Sequence, residues 1–407
     1  MDNNWTSLAV RFKAFPRPVW VLFFGTFLNK FGTFVIPFLA LYLKAGGFSV
    51  AQAGMAISAY GVGNFLASAV GGHLADTLGR RNSIVFSMFS VAVSMMLLSQ
   101  ARQFPAILLF TALVGLTGEM YRPAASALLA DVVPAGERVT AYSAYRLAFN
   151  AGWAFGPATA GFLAGHSYLW LFGGDAGSSV LFGIVAWLAL PHGLRAAKSE
   201  QGWQPALKII SRDKVFLRVL AASFTVSLVF MQMGSTFSLH VTGLGFSATN
   251  YGALLSLNGV MVVFCELPIT TFITQRFPPR RMMALGYLLT GTGFAINAFA
   301  RTLPVMTLAV LIFTLGEIVS VPVSAAYVAD LAPEQFRGRY SGAVGLTSAI
   351  ALILGPNLGM RLFGSSPFAL WIICGVLGLF GAIIISSGQD SSRLAIDNVR
   401  SGELKLP

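Results

Sequence analysis

Charged side chains are scarce in this sequence, 10% of its 407 residues against 56% hydrophobic. Soluble domains carry about 25% charge, so there is too little here to cover a water-facing surface, and a soluble enzyme is excluded. Cysteine is nearly absent. The two present, Cys265 and Cys374, lie in apolar runs at no metal-ligand spacing. That argues against a disulfide framework and gives no support to a metal site. The sequence also lacks a phosphate-cradling glycine loop and a recognisable nucleophile triad. Neither ATP-driven chemistry nor a resident cofactor is expected. Acidic residues are in short supply too, 15 against 27 Lys and Arg, for a net charge of +12. On a soluble protein such an excess would point to nucleic acid. On a membrane protein it reads first as topology, which the positions of the basic residues test.

What the chain has in abundance is long apolar runs. With about 20 residues per crossing, they predict spans at 18–43, 52–75, 82–101, 105–132, 141–165, 168–190, 214–240, 251–274, 282–300, 304–331, 340–363 and 367–387. The expected fold is an all-α integral membrane protein, twelve transmembrane helices in two pseudo-symmetric six-helix bundles. The first bundle occupies 1–190, a cytoplasmic linker 191–213, the second bundle 214–390 and a cytoplasmic tail 391–407. The first run follows Arg11, Lys13 and Arg17 and continues to about Leu43. That is too long for a cleaved signal core, so it reads as a retained helix. The linker carries Arg195, Lys198, Lys208 and Arg212, and its Gln204–Val219 stretch reads as an amphipathic surface helix. With the N-terminus inside, only Lys44, Arg102, Arg301 and Arg361 fall in outer loops. Lys30, Arg122 and Arg146 fall within spans, and every other basic residue falls on the inner side. Both termini are expected in the cytoplasm of a cell with an inner membrane.

The halves repeat. Pro123, Asp131, Pro134, Arg138 and Gly156-Pro157 recur as Pro322, Asp330, Pro333, Arg337 and Gly355-Pro356, each 199 positions later. Gly118-Glu119 recurs as Gly316-Glu317, and Gly47-Phe48-Ser49 with Gly54 as Gly245-Phe246-Ser247 with Gly252. Parallel six-helix repeats place a solute cavity between the halves, which rock about it to expose it to either side.

Between the second and third spans stands Gly72-His73-Leu74-Ala75-Asp76-Thr77-Leu78-Gly79-Arg80-Arg81. Gly72 offers close helix contact, Gly79 a tight turn, and Asp76 a partner for the positive end of a neighbouring helix. This decapeptide resembles the loop signature of the major facilitator superfamily. The resemblance implies a conformational latch of Gly72, Asp76, Gly79, Arg80, Arg81 and Asp131, with Arg80 meeting Asp131. The second-half copy, Gln275-Arg276-Phe277-Pro278-Pro279-Arg280-Arg281, keeps the basic pair but not the aspartate or glycine, so the latch is expected to be asymmetric. In the fifth span, Gly152-Trp153-Ala154-Phe155-Gly156-Pro157-Ala158-Thr159-Ala160-Gly161 resembles the antiporter signature of drug-exporting members, with Ala160 in place of a glycine. Gly152, Gly156, Pro157 and Gly161 then form an outer seal against leak; ordinary small-residue packing is the competing reading. The arginine such families carry early in the fourth span is missing, since Thr111-Ala112-Leu113 stands there.

Charge in mid-membrane is costly and marks pathways. The candidates are Lys30, Glu119, Arg122, Arg146, Asp175, Glu266 and Glu317. Glu119 and Arg122, three apart on one helix, share a face. Glu119 is the first choice for proton coupling, with Glu266 and Glu317 next and a static ion pair as the competing reading. Asn29, Lys30, Tyr121, Arg122, Arg146 and Phe149 are expected around the solute cavity. Asp175, in a glycine-interrupted sixth span, and His240, at an outer helix end, are expected near water. Together these features predict a monomeric proton-coupled transporter for an amphipathic small molecule, with lipid and protons as its other partners and no nucleic acid. Uptake of a small polar or anionic metabolite is the alternative.

Overall fold

The computed structural model describes residues 15–134, 137–192, 209–274, 276–333 and 336–387. Among them the regular structure is helical throughout: α1 Arg17–Phe31, α2 Val35–Ala45, α3 Val50–Thr77, α4 Arg80–Gln100, α5 Phe104–Glu119, α6 Tyr121–Val132, α7 Arg138–Ala164 and α8 Tyr168–Ala189 in the first half. The second half holds α9 Lys214–Phe230, α10 Thr236–Gly243, α11 Ala248–Thr274, α12 Pro279–Ile296, α13 Leu303–Leu331, α14 Arg337–Ser365 and α15 Pro367–Ser386. Nine stretches of the described residues are long and apolar enough to cross a membrane. This is fewer than the twelve expected. The remaining expected spans are helical where predicted, as α7, α9 with α10, and α12, but they are not both long and apolar enough to be counted. The tail, the basic N-terminal residues Arg11 and Lys13, and most of the linker, including Arg195, Lys198 and Lys208, lie outside the described residues.

Three expected spans are broken in the middle. Pro123 has no N–H to offer the carbonyl of Glu119, and the chain passes from α5 to α6 at Met120. Pro37 likewise withholds a donor from Thr33, between α1 and α2. The α9–α10 break has no proline. There Gln232 turns its amide onto the carbonyls of Leu228 (3.0 Å) and Gly355 (3.1 Å), and Ser235 bonds back to Met231 (2.8 Å). Side chains thus compete with the helix for its own backbone partners. The predicted Gln204–Val219 surface helix is not continuous where it is described. Asp213 accepts from the Phe216 amide at 2.9 Å and caps a fresh helix, α9.

The repeat is visible as paired contacts between halves. A side chain on Gly252 would lie 2.3 Å from the Pro157 carbonyl, and one on its repeat partner Gly54 would lie 2.9 Å from the Pro356 carbonyl. Gly259 meets the Trp153 carbonyl (2.9 Å) as Gly61 meets that of Leu352 (2.8 Å). Only glycine lets these backbones touch. At the same end, the Tyr251 hydroxyl donates to the Pro37 carbonyl across the halves at 3.1 Å, with its ring 5.1 Å from that of Phe38. A large apolar core runs through the first half and continues into the second around Tyr251, Phe237 and Trp371. A smaller core, around Phe216, Met283, Tyr287 and Tyr340, belongs to the second half alone. The halves are therefore sealed together at the Gly47/Gly245 end and keep separate cores toward the Gly79 end.

Candidate functional site

The first-half charges collect at the α5–α6 break. Lys30 on α1, 4% exposed, donates to Glu119 Oε1 at 2.8 Å, and Arg122 reaches Glu119 Oε2 at 3.3 Å. The Lys30 ammonium also lies 5.1 Å from the Phe149 ring and 5.7 Å from that of Tyr121, and the Arg122 guanidinium 5.6 Å from Phe149. Burying an ammonium demands such compensation, because its hydration is gone. Glu119 is thus held by two cations. Asn29 turns away from this cluster toward Met88 Sδ (3.7 Å) on α4, and Tyr121 is fully buried, edge-on to Phe182 at 5.8 Å. Both side chains are buried against neighbouring helices.

Glu317, the repeat partner of Glu119, has different surroundings. It lines a cavity of about 500 Å3 whose walls come entirely from the second half. Ser223, Ser227, Ser320, Ser324, Ser341 and Ser348 give that cavity hydroxyls, while Phe230, Met231 and Tyr287 give it apolar surface. The Glu317 carboxylate accepts from the Asn258 amide at 2.8 Å, and Asn258 also donates to Thr314 at 3.0 Å. Among the described residues no cation pairs with Glu317. The repeat explains why. The offset relating Gly47 to Gly245 puts Leu228 where Lys30 stands, and Ser320 or Val321 corresponds to Arg122.

Glu266 sits at a third kind of position. It pairs with Arg146, an α7 side chain of the other half, so an ion pair bridges α7 and α11. Arg146 is about half exposed and Glu266 21% exposed, which leaves the bridge accessible to water. Glu317 lies within electrostatic reach of both. Arg146, expected around the solute cavity, faces an acid of the opposite half.

The charges of the decapeptide meet one another and Asp131. Arg80, 5% exposed, binds Asp76 Oδ1 at 3.0 Å, Asp131 Oδ2 at 3.2 Å and the Ala75 carbonyl at 3.1 Å. Gly79 starts α4 with φ 87°, a conformation side chains resist. Close helix contact is made by Gly71, whose added side chain would sit 2.3 Å from the Met120 carbonyl, whereas Gly72 faces open space. Arg81 donates to the Trp187 carbonyl, and its repeat partner Arg280 to that of Ile385 (2.8 Å). In the antiporter-type segment, Gly152 and Gly156 pack on α1, against Phe31, while Pro157 and Gly161 pack on α11 across the halves. The segment therefore ties the fifth span to both neighbours.

Two expectations about water are corrected. Asp175 is buried, 5% exposed on an unbroken α8, and its carboxylate accepts from the Val35 amide at 3.4 Å, capping the start of α2. His240 is 4% exposed and accepts from Trp371 Nε1 at 3.2 Å. Sequence reasoning passed over Asn258 and Gln232. Both are amides within apolar runs, and that polarity was the available signal.

The comparisons with known proteins agree with this architecture. A Major Facilitator Superfamily model matches residues 22–356, with a second match over 241–392. The chain is 28% identical over 395 residues to the uncharacterized MFS-type transporter YqjV of Bacillus subtilis, covering 94% of this chain and 96% of that one. It is 28% identical to a Na(+), Li(+), K(+)/H(+) antiporter of Planococcus maritimus (88% and 91% covered). It is 22% identical to the quinolone resistance protein NorA of Staphylococcus aureus (85% and 90% covered). Among solved structures, a peptide transporter POT in complex with sulfate superposes with a TM-score of 0.77 at 17% identity, covering 97% and 99%. A D-xylose-proton symporter superposes at 0.70, also at 17% identity, covering 91% and 96%. With the Arg80 ion pairs, the paired halves and a family match across most of its length, this chain belongs to the major facilitator superfamily and is a multi-pass membrane transporter, not an enzyme.

Proposed function

We propose that this transporter is proton-coupled and exports an amphipathic small molecule by alternating access, with Glu317 as the group that exchanges the proton. The observation that carries the assignment is the contrast among three carboxylates. Glu119 is held by Lys30 and Arg122, and Glu266 by Arg146. Glu317 alone of the three faces the cavity with an amide, not a cation, as its partner. A carboxylate clamped by cations stays ionised, while one facing a hydroxyl-lined cavity is free to take and release a proton as the cavity fills. Export is supported by the antiporter-type segment at the closed end and by the named activities of the antiporter and quinolone-resistance relatives. The distribution of its basic residues supports an orientation in a cell inner membrane with both termini cytoplasmic. The cavity then opens inward and the glycine-sealed end faces out.

The test is reconstitution in vesicles with an imposed pH gradient, following proton flux while lipophilic cations, anions and metabolites are added. Proton movement opposite to the solute is expected; movement alongside it would instead establish uptake, the reading favoured by the first-half cations Lys30, Arg122 and Arg146. Glu317→Gln is expected to lose solute-driven proton flux by roughly tenfold or more, in line with loss of an essential proton carrier. Undiminished flux in that variant would return the role to Glu119 or Glu266.

A further inference from the structure

The charges around the centre are segregated by half. The first half presents Lys30, Arg122 and Arg146 with one acid, Glu119, and the second presents Glu266 and Glu317. Lys30 is buried and committed to Glu119, but Arg122 and Arg146 are each about half exposed. Where the halves meet, Arg146 of the first pairs with Glu266 of the second, and Glu317 lies within electrostatic reach of both, so this junction has one positive and one negative wall.

We propose that the solute is a zwitterion, its anionic group taken by Arg146 and its ammonium by Glu266 and Glu317. This rests on the transport reading above and narrows its substrate. The argument is one of charge matching. A solute entering between the walls must break the Arg146–Glu266 pair. A simple cation satisfies Glu266 and strands Arg146; a simple anion does the reverse. The free bridge is open to water, but a bound solute shields it, and one member then left alone is costlier than removing both. A zwitterion satisfies both walls at once and replaces the pair it breaks. The surroundings also suit its body: Phe230 and Tyr287 line the cavity that Glu317 faces. Because the bridge joins the halves directly, its replacement by a solute ties occupancy to their separation.

The experiment measures equilibrium binding of three forms of one scaffold to the purified full-length protein: 4-(aminomethyl)benzoate, its methyl ester as the cation, and its N-acetyl derivative as the anion. The zwitterion is expected to bind about tenfold or more tightly than either, as fits a charge pair that the bound solute shields from water. Arg146→Gln is expected to move the preference toward the ester and Glu266→Gln toward the N-acetyl form. Arg146→Glu combined with Glu266→Arg is expected to restore the preference for the zwitterion. Indistinguishable affinity of the three forms, including no binding by any, overturns the proposal, as does an unchanged preference in both single variants. Proton flux is recorded separately in vesicles. A zwitterion preference without coupled flux would remove the proton-driven reading and leave this one standing. Coupled flux for solutes of any charge would do the opposite.

Discussion

At the scale of single residues, burial and pairing separate charges that look alike in the sequence. Lys30 and Glu119 are both largely withdrawn from solvent, and each is the other's main compensation. Glu119→Gln leaves the ammonium with rings and an amide, and is expected to cost about 3–5 kcal/mol, the usual penalty for a stranded buried charge. The check is thermal unfolding in detergent, in which Lys30→Met combined with Glu119→Met should recover most of the loss. A mere surface pair would show neither effect. Glu317 is expected to tolerate Gln far better, since its one partner is the neutral Asn258 amide. The sequence marked every one of these ionisable residues, because charge in an apolar run stands out. It did not mark their partners. Lys30 and Glu119 are 89 residues apart and Arg146 and Glu266 are 120 apart, distances over which spacing carries no information.

At the scale of elements, helix ends were legible and helix breaks were not. The predicted ends fall within a few residues of α3, α8, α13 and α15, because the boundary of a span is set by a local change of polarity. The break at Met120 was foreshadowed only by Pro123, and a proline alone does not decide it. Its repeat partner Pro322 sits inside a continuous α13, where the orphaned Ile318 carbonyl accepts from Thr270 at 3.4 Å. Thr270→Val removes that substitute donor and is expected to lower stability by about 1 kcal/mol, the net worth of one hydrogen bond, readable in the same unfolding assay. Glycines likewise differ by what they face. Gly252→Leu or Gly54→Leu would force the halves apart at the sealed end. In a background lacking the native cysteines, disulfide formation between Gly165→Cys and Thr249→Cys should then fall several-fold, while Gly72→Ala should leave it unchanged.

At the scale of the whole molecule, two halves with private cores toward one end and a shared seal at the other are built to move as bodies. The latch at the Gly79 end joins α3, α4 and α6 through Arg80, Asp76 and Asp131. Arg80→Ala releases both acids far from the cavity. It is expected to slow solute transport by roughly tenfold with equilibrium binding little changed, the signature of a conformational step rather than a binding one. Transport and binding that fall together would place Arg80 in the solute path. The asymmetry expected from the sequence has a structural counterpart: the second half keeps the Arg280 contact to Ile385 that matches Arg81 to Trp187. By that contact the basic pair Arg280-Arg281 is shifted by one residue against Arg80-Arg81, and Pro279, with no side-chain donor, stands in the place of Arg80.

The sequence by itself determined that the chain lives in a membrane, where its helices begin and end, that it is a duplicated structure, and to which superfamily its loop signature points. These follow from hydropathy and recurrence, which are properties of neighbours along the chain. Only the tertiary structure decided which carboxylate lacks a cation, that Gly71 rather than Gly72 makes the close contact, that Asp175 and His240 are buried, and that one ion pair spans the halves. Each of these depends on what another helix brings alongside. In a low-dielectric interior the identity of that neighbour, more than the residue itself, sets what a charge can do.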